Sequence, residues 1–301
     1  MVRRTTNITL LGLALVLGSI HFATMVVRAQ APVVELGATP SSATATPITV
    51  SPDTVFTKPL DTTRQKELEK LYQALIEDYG EKARLFRLGK AQWQSIQTLR
   101  ALEEAVLSTN AVLLSRTRTL ITYLELLLEV LESTPGIELS LKQSRSSALS
   151  ARIEWLRQHE QQILTATDRN AVNERSDDFT LEAGSIILEA EQALMLIRLG
   201  KLQTTFDRVN GLYERILQRN EANPGTPTQQ FERKRAYVEV NILRDEIAYE
   251  LRLATESLDE ATAERGRNQS DYSGFVAGLE SPYAKISRYL FFLEELARDT
   301  W

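Results

Sequence analysis

The chain has 301 residues, 43% apolar and 25% charged, with 13 glycines, 9 prolines and no cysteine. So few turn formers exclude a domain rich in strands and hairpins, and the absence of cysteine excludes disulfides, thiol catalysis, iron–sulfur clusters and a lipidated Cys. The formal charge of −5, with opposite signs interleaved along the chain, disfavours nucleic acid as a partner, because phosphate affinity comes from clustered Lys and Arg.

The chain opens on Met1-Val2-Arg3-Arg4, then a mostly apolar run of 20 residues from Ile8 to Val27, then Arg28-Ala29-Gln30-Ala31. A basic start, an apolar middle and small residues at the end form a secretory address. Val27 and Ala29 suit cleavage after Ala29; cleavage after Ala31 would leave Pro32 first. A run of 20 residues also spans a bilayer, so residues 1–29 are read as a signal peptide or an uncleaved signal anchor. Either way Arg3 and Arg4 stay inside and the rest is expected outside the cytoplasm. Membrane contact is then expected only through residues 8–27. A buried helix of a soluble protein fits poorly beside the spacer that follows. Removal of residues 1–29, which hold Arg3, Arg4 and Arg28 and no acid, would take the net charge from −5 to −8.

Residues 30–60 contain Pro32, Pro40, Pro47, Pro52 and Pro59 among Thr, Ser and Ala. Large apolar side chains are too few to offset the entropy of ordering, so a disordered, extended linker is expected. It serves as a stalk or is a leader left by processing.

From Asp61 to Trp301 the pattern is helical, and the fold class expected is all-α: an elongated antiparallel bundle of five to six long helices. Thr62 with Gln65 fits a capping box, with Asp61 as the alternative cap. Leu68, Tyr72, Leu75, Tyr79, Ala83, Phe86, Trp93, Ile96, Leu99, Leu102 and Val106 follow at helical steps. They read as one face over about 45 residues, roughly 65–70 Å, with Gly80 and Gly89 as places to bend. Ser108-Thr109-Asn110 supplies a second start, and a strongly apolar helix runs to Ser133 before Thr134-Pro135-Gly136. Its length and Glu125 and Glu129 argue against a membrane span and for a central bundle helix.

A third helix is expected over 138–166, with Leu149, Ile153, Leu156 and Ile163 inward. Asp168 to Asp178 reads as a polar connection or short helix. A fourth covers 178–221, with Phe179, Ala183, Ile187, Ala190, Leu194, Ile197, Phe206, Val209, Tyr213 and Ile216 inward. A fifth covers 228–264, with Val240, Leu243, Ile247, Leu251, Ala254, Leu258 and Ala261 as a heptad-like, coiled-coil stripe. Arg265 to Ser273 reads as a loop. Ser281-Pro282 then caps a last helix with Ile286, Leu290, Leu293 and Leu296 on one side.

Arg87-Leu88-Gly89-Lys90-Ala91-Gln92 matches Arg198-Leu199-Gly200-Lys201-Leu202-Gln203 at five of six positions. A duplicated helical hairpin would produce this, as would chance between Leu/Arg-rich helices. If it is a duplication, Gly89 and Gly200 should occupy equivalent contacts between helices. The 34-residue period of tetratricopeptide arrays is absent.

No catalytic, cofactor-binding or metal-ligating residue is singled out. His21 lies in the targeting segment, and His159, alone in the domain, reads as a surface or bundle-flank residue. Leu156 stands where a di-iron Glu-x-x-His motif needs its Glu. No nucleophile elbow, phosphate loop or EF-hand pattern occurs. Glu103/Glu104, Asp177/Asp178 and Glu294/Glu295 read as solvated charges. Asn7 and Asn268 begin glycosylation sequons. Trp93, Tyr79 and Tyr213 fall on core stripes. The function expected is an extracytoplasmic, non-enzymatic structural or interaction module that meets a protein partner at the envelope or cell surface. A bundle that binds a ligand in an apolar pocket is the alternative.

Overall fold

The computed structural model describes residues 63–263 and 272–298, with side chains over 63–258 and 272–297. The targeting run, the spacer, Thr62 and the Asn268 sequon lie outside these residues. The chain divides into two units, Met1–Asp61 and Thr62–Trp301. Among the described residues the second unit is all-α: α1 Thr63–Ile96, α2 Leu99–Ser133, α3 Leu139–Thr165, α4 Arg169–Ala222, α5 Pro227–Ala263, α6 Tyr272–Gly278 and α7 Glu280–Arg298.

Cross-helix contacts fix the direction of each pair. Asp78 meets Ser115, the Leu75 carbonyl meets Thr119, and Tyr72 meets Tyr123. Rising numbers on α1 against falling numbers on α2 define an antiparallel hairpin. Arg118–Glu160 and Arg157–Glu125 set α3 antiparallel to α2. Arg145–Glu189 and Arg152–Glu182 do the same for α3 and α4. Tyr213–Asn241 and Asn220–Tyr237 pair α4 with α5. Lys285, bonded to Glu246 and Glu250, pairs α5 with α7.

α2 is the central helix expected from its composition, packed by α1, α3 and α4. Every residue from Thr119 to Leu124 is buried. Leu124 and Leu131 are fully enclosed, each contributing about 2 kcal/mol from apolar burial. Two buried hydroxyls of this helix donate to carbonyls one turn back, Thr117 to Leu113 and Thr119 to Ser115. Glu125 and Glu129 turn outward to Arg157 and Arg64. No helix among the described residues is long and apolar enough to cross a membrane.

Three expected boundaries are corrected. The first stripe does not continue to Val106, because α1 ends at Ile96. Gln97 takes φ 53° and its N–H bonds the Trp93 carbonyl, a left-handed helix stop. Thr98 then caps α2 by accepting from the Ala101 N–H. Ile96 and Leu99 flank this reversal and are exposed. Ser108 and Thr109 do not start a helix; both hydroxyls donate back to the Ala105 carbonyl, and Asn110 reaches the Ala166 carbonyl. The polar stretch from Asp168 is part of α4, since Asp168 accepts from the N–H groups of Asn170 and Ala171.

The inward residues of α3 are those expected. On α4 Ile186 is buried, while the expected Ile187 is half-buried. On α7 Tyr289 is fully buried, whereas Leu290 is 39% exposed. Ser281 and Pro282 fall inside the first turn of α7, which begins at Glu280.

The middle of α4 carries the turn between α2 and α3. A Cβ on Gly200 would lie 2.9 Å from the Pro135 carbonyl oxygen and against the Ile137 side chain. Gly136 takes φ +75°, and a Cβ there would stand 2.5 Å from the Gly200 carbonyl oxygen. Gly89 instead faces Ala105 and Ser108 on the neighbouring helix. Both glycines are packed, but their contacts are not equivalent. Gly89 sits near the end of α1 and Gly200 in mid-α4, which removes the structural support for a duplicated hairpin. Gly200→Ala is expected to lower unfolding stability by roughly 1–3 kcal/mol. Gly211→Ala, with nothing within 4 Å of its added methyl, should raise it by up to about 1 kcal/mol. Urea unfolding of the two variants compares them directly.

Candidate functional site

Two features stand apart from ordinary core packing: a buried cationic cluster in the first half of the bundle and a two-faced helix in the second.

The cluster joins three helices. His159 of α3 is 2% exposed. Its ring stacks on Trp155 at 5.0 Å and tilts against Phe179 of α4 at 6.1 Å. This corrects the expectation of a surface or flank histidine: a neutral imidazole is a flat aromatic ring, and here it packs as one. Burial and the nearby Arg116 push its pKa down from 6.5 to about 4, Asp178 opposing and Arg175 adding. Arg116 of α2 lies over Phe179, its guanidinium carbon 3.5 Å from the ring centre. Burial lowers its pKa to about 10, so it stays charged at neutral pH. Its Nε and Nη2, like both His159 ring nitrogens, are closed off from solvent without a hydrogen-bond partner. The ring face serves in place of an acceptor, a cation–π contact strengthened by desolvation.

α5 is built differently. Pro227 opens it, and Thr226 with Gln229 forms a capping box: Thr226 N–H donates to Gln229 Oε1, and Gln229 N–H to Thr226 Oγ1. Val240, Leu243, Ile247, Leu251 and Leu258 are buried as expected, with Ala254 half-buried. They face α4 and α7. The opposite side carries Phe231, Val238, Ile242, Tyr249 and Leu253, between 43% and 74% exposed. Their steps are seven, four, seven and four. At 100° per residue they fall within about 60° of arc, a straight line roughly 33 Å long. Lys234 and Arg235 flank its N-terminal part; Asp245 and Glu246 flank its middle. Glu239 lies on the Arg235 flank between these two levels, and Arg252 on the Lys234 flank beyond them.

The remaining candidate residues carry less. Glu103, Asp177, Glu294 and Glu295 are exposed; Glu104 pairs with Arg100 and Asp178 with Arg175. Among the described residues no cluster of His, Asp and Glu could hold a metal ion. Tyr79 and Tyr213 are buried and Trp93 is half-buried. A groove of about 300 Å³ lined by Glu132, Lys142, Gln143, Ser146 and Ser147 is open to solvent. The outer stripe of α5 is not among the residues expected from sequence, although its spacing can be counted there. The heptad row on the other side of the same helix is denser and masks it.

No protein-family model, no curated protein and no solved structure matches this chain.

His159 sets an expected pH response. Its folded pKa, about 4, lies below its unfolded value near 6.5. Between them the unfolded chain binds a proton that the folded chain does not, so stability falls as pH drops from about 6.5 toward 4. Urea unfolding at pH 7 and pH 5 should differ by about 2 kcal/mol from this group. His159→Phe should remove most of that difference, and an unchanged slope would mean the imidazole is not held neutral.

Proposed function

We propose that this chain is an extracytoplasmic, non-enzymatic interaction module. It docks an apolar helix of a protein partner along the outer side of α5. The observation that carries this reading is the exposed line of Phe231, Val238, Ile242, Tyr249 and Leu253. Scattered surface leucines are ordinary, but a contiguous apolar line on a solvent face is what partner helices recognise. Its near-straight 11-residue spacing suits another helix lying along it. The basic start, apolar run and small residues of 1–29 support a place outside the cytoplasm. Burial of His159, the only imidazole in the domain, supports binding over acid–base chemistry. The net charge of −5 supports protein over nucleic acid as partner.

One experiment on whole cells tests both parts. The native chain is cysteine-free, so Leu181→Cys, at a position 82% exposed, supplies a sole thiol. A reagent that does not cross the cytoplasmic membrane should label it in intact cells. Labelling only after lysis would overturn the location. A photo-crosslinking residue at Ile242 or Tyr249 should capture protein far more strongly than one at Leu181, which stands alone. Equal capture at all three would overturn the docking face.

A further inference from the structure

The charges beside the outer stripe of α5 are arranged for self-recognition. We propose that two copies of this chain pair through that face, antiparallel, about a two-fold axis crossing α5 at the level of residue 240. This rests on the reading of α5 as a docking face and names its occupant.

The register follows from the sequence. About that axis Phe231 lies level with Tyr249 of the second copy, and Val238 with Ile242. The four apolar layers close on one another, with a charged layer of Lys234 and Arg235 against Asp245 and Glu246 of the second copy between the outer and inner apolar layers at each end. Helical angles then place the charges. Lys234 and Asp245 share one flank of the stripe; Arg235 and Glu246 share the other. In an antiparallel pair each flank faces the same flank of its partner. Lys234 therefore meets Asp245 of the second copy, and Arg235 meets Glu246, within one residue of level. Two-fold symmetry makes each contact twice.

The same charges reject a parallel pair. In a parallel pair opposite flanks face, so Lys234 would meet Arg235 of the second copy and Asp245 would meet Glu246, four like-charge contacts against the single approach of Glu239 to its own copy in the antiparallel pair. Like charges in contact oppose the wrong orientation. The charged groups are placed to take part: Asp245, though 3.7 Å from Arg244, is 77% exposed, and Glu246, though bonded to Lys285, keeps 48% of its side chain exposed. Arg252 lies 5.4 Å over one face of the Tyr249 ring. Packing along one helix buries on the order of 1,000 Å², which suits a reversible dimer rather than an obligate one.

Sedimentation equilibrium of the full chain, at tens of micromolar in mild detergent that shields residues 8–27, tests this. The chain should be a dimer in exchange with monomer. Ile242→Glu should leave helicity and melting unchanged, since Ile242 is 53% exposed, and should yield monomer. Lys234→Asp and Asp245→Lys should each weaken the dimer roughly five- to tenfold, and the double variant, which swaps the two charges, should restore it. A monomeric native chain, a dimer that survives Ile242→Glu, or a double variant no tighter than the singles would each overturn the proposal. A monomeric native chain whose Ile242 crosslinker still captures protein in cells would leave the docking face standing and assign it to a different partner.

Discussion

One helix longer than any single set of neighbours governs this fold. α4 has 54 residues, about 80 Å at 1.5 Å per residue. α2 and α3 cover its first part; α5, α6 and α7 pack on it further along. Where the two sets meet, every residue from Gln192 to Ile197 is buried. Just beyond, the Pro135–Ile137 turn sits on Gly200 with no room for a methyl group. The two groups of helices are therefore packed on one continuous rod. The turn is itself held from the α3 side: Lys142 Nζ donates to the Thr134 carbonyl at 2.6 Å and to the Glu132 carbonyl at 3.2 Å. Orphan carbonyls at the end of α2 thus find a cation, which suits the negative end of a helix dipole.

How much of the fold is legible in the sequence depends on which physical signal dominates locally. Rows such as Leu149, Ile153, Leu156 and Ile163 place a helix and its inward side without ambiguity, because apolar burial outweighs other local preferences and it repeats. Ends of helices are harder to read. Pro135-Gly136 and Pro224-Gly225 announce themselves, but the break after Ile96 uses Gln97 in a left-handed conformation, and nothing in glutamine signals that. Ser108-Thr109-Asn110 resembles a start because hydroxyl and amide groups cap helices well. The same groups satisfy carbonyls equally well from inside a helix. Asp168 is hard to recognise as a cap because the polar residues after it hide the helix that it opens.

His159 shows a second limit. Its surroundings come from three helices, and no spacing on α3 reveals Arg116 or Phe179. Sequence shows that an imidazole is present; packing decides that it is neutral and closed off. The cluster also shows how a bundle without many buried acids can hold a buried arginine. Arg145 meets Glu189 and Gln192, whereas Arg116 lies flat on an aromatic face. The second solution leaves donors unmet and costs stability when the ring is lost.

The outer face of α5 differs from other exposed apolar positions by its length. On α1 Leu71 is about four turns from Leu85 and Leu88, and on α7 Tyr283, Leu290 and Phe291 extend over about two turns, whereas the five residues of α5 extend over about six. On α5 the gap never exceeds two turns. α5 lies against α4 and α7, and the line opposite stays uncovered in a single copy. Water contact along that line costs about 25 cal/mol per Å², and an unguarded stripe would favour indiscriminate association. In the proposed pair Lys234, Arg235, Asp245 and Glu246 guard it by setting both orientation and register. An apolar line supplies the energy of a contact, and the order of charges beside it decides which partner and which direction are allowed. In the proposed pair that division of labour makes the charge pattern, more than the hydrophobic residues alone, the part that selects the contact.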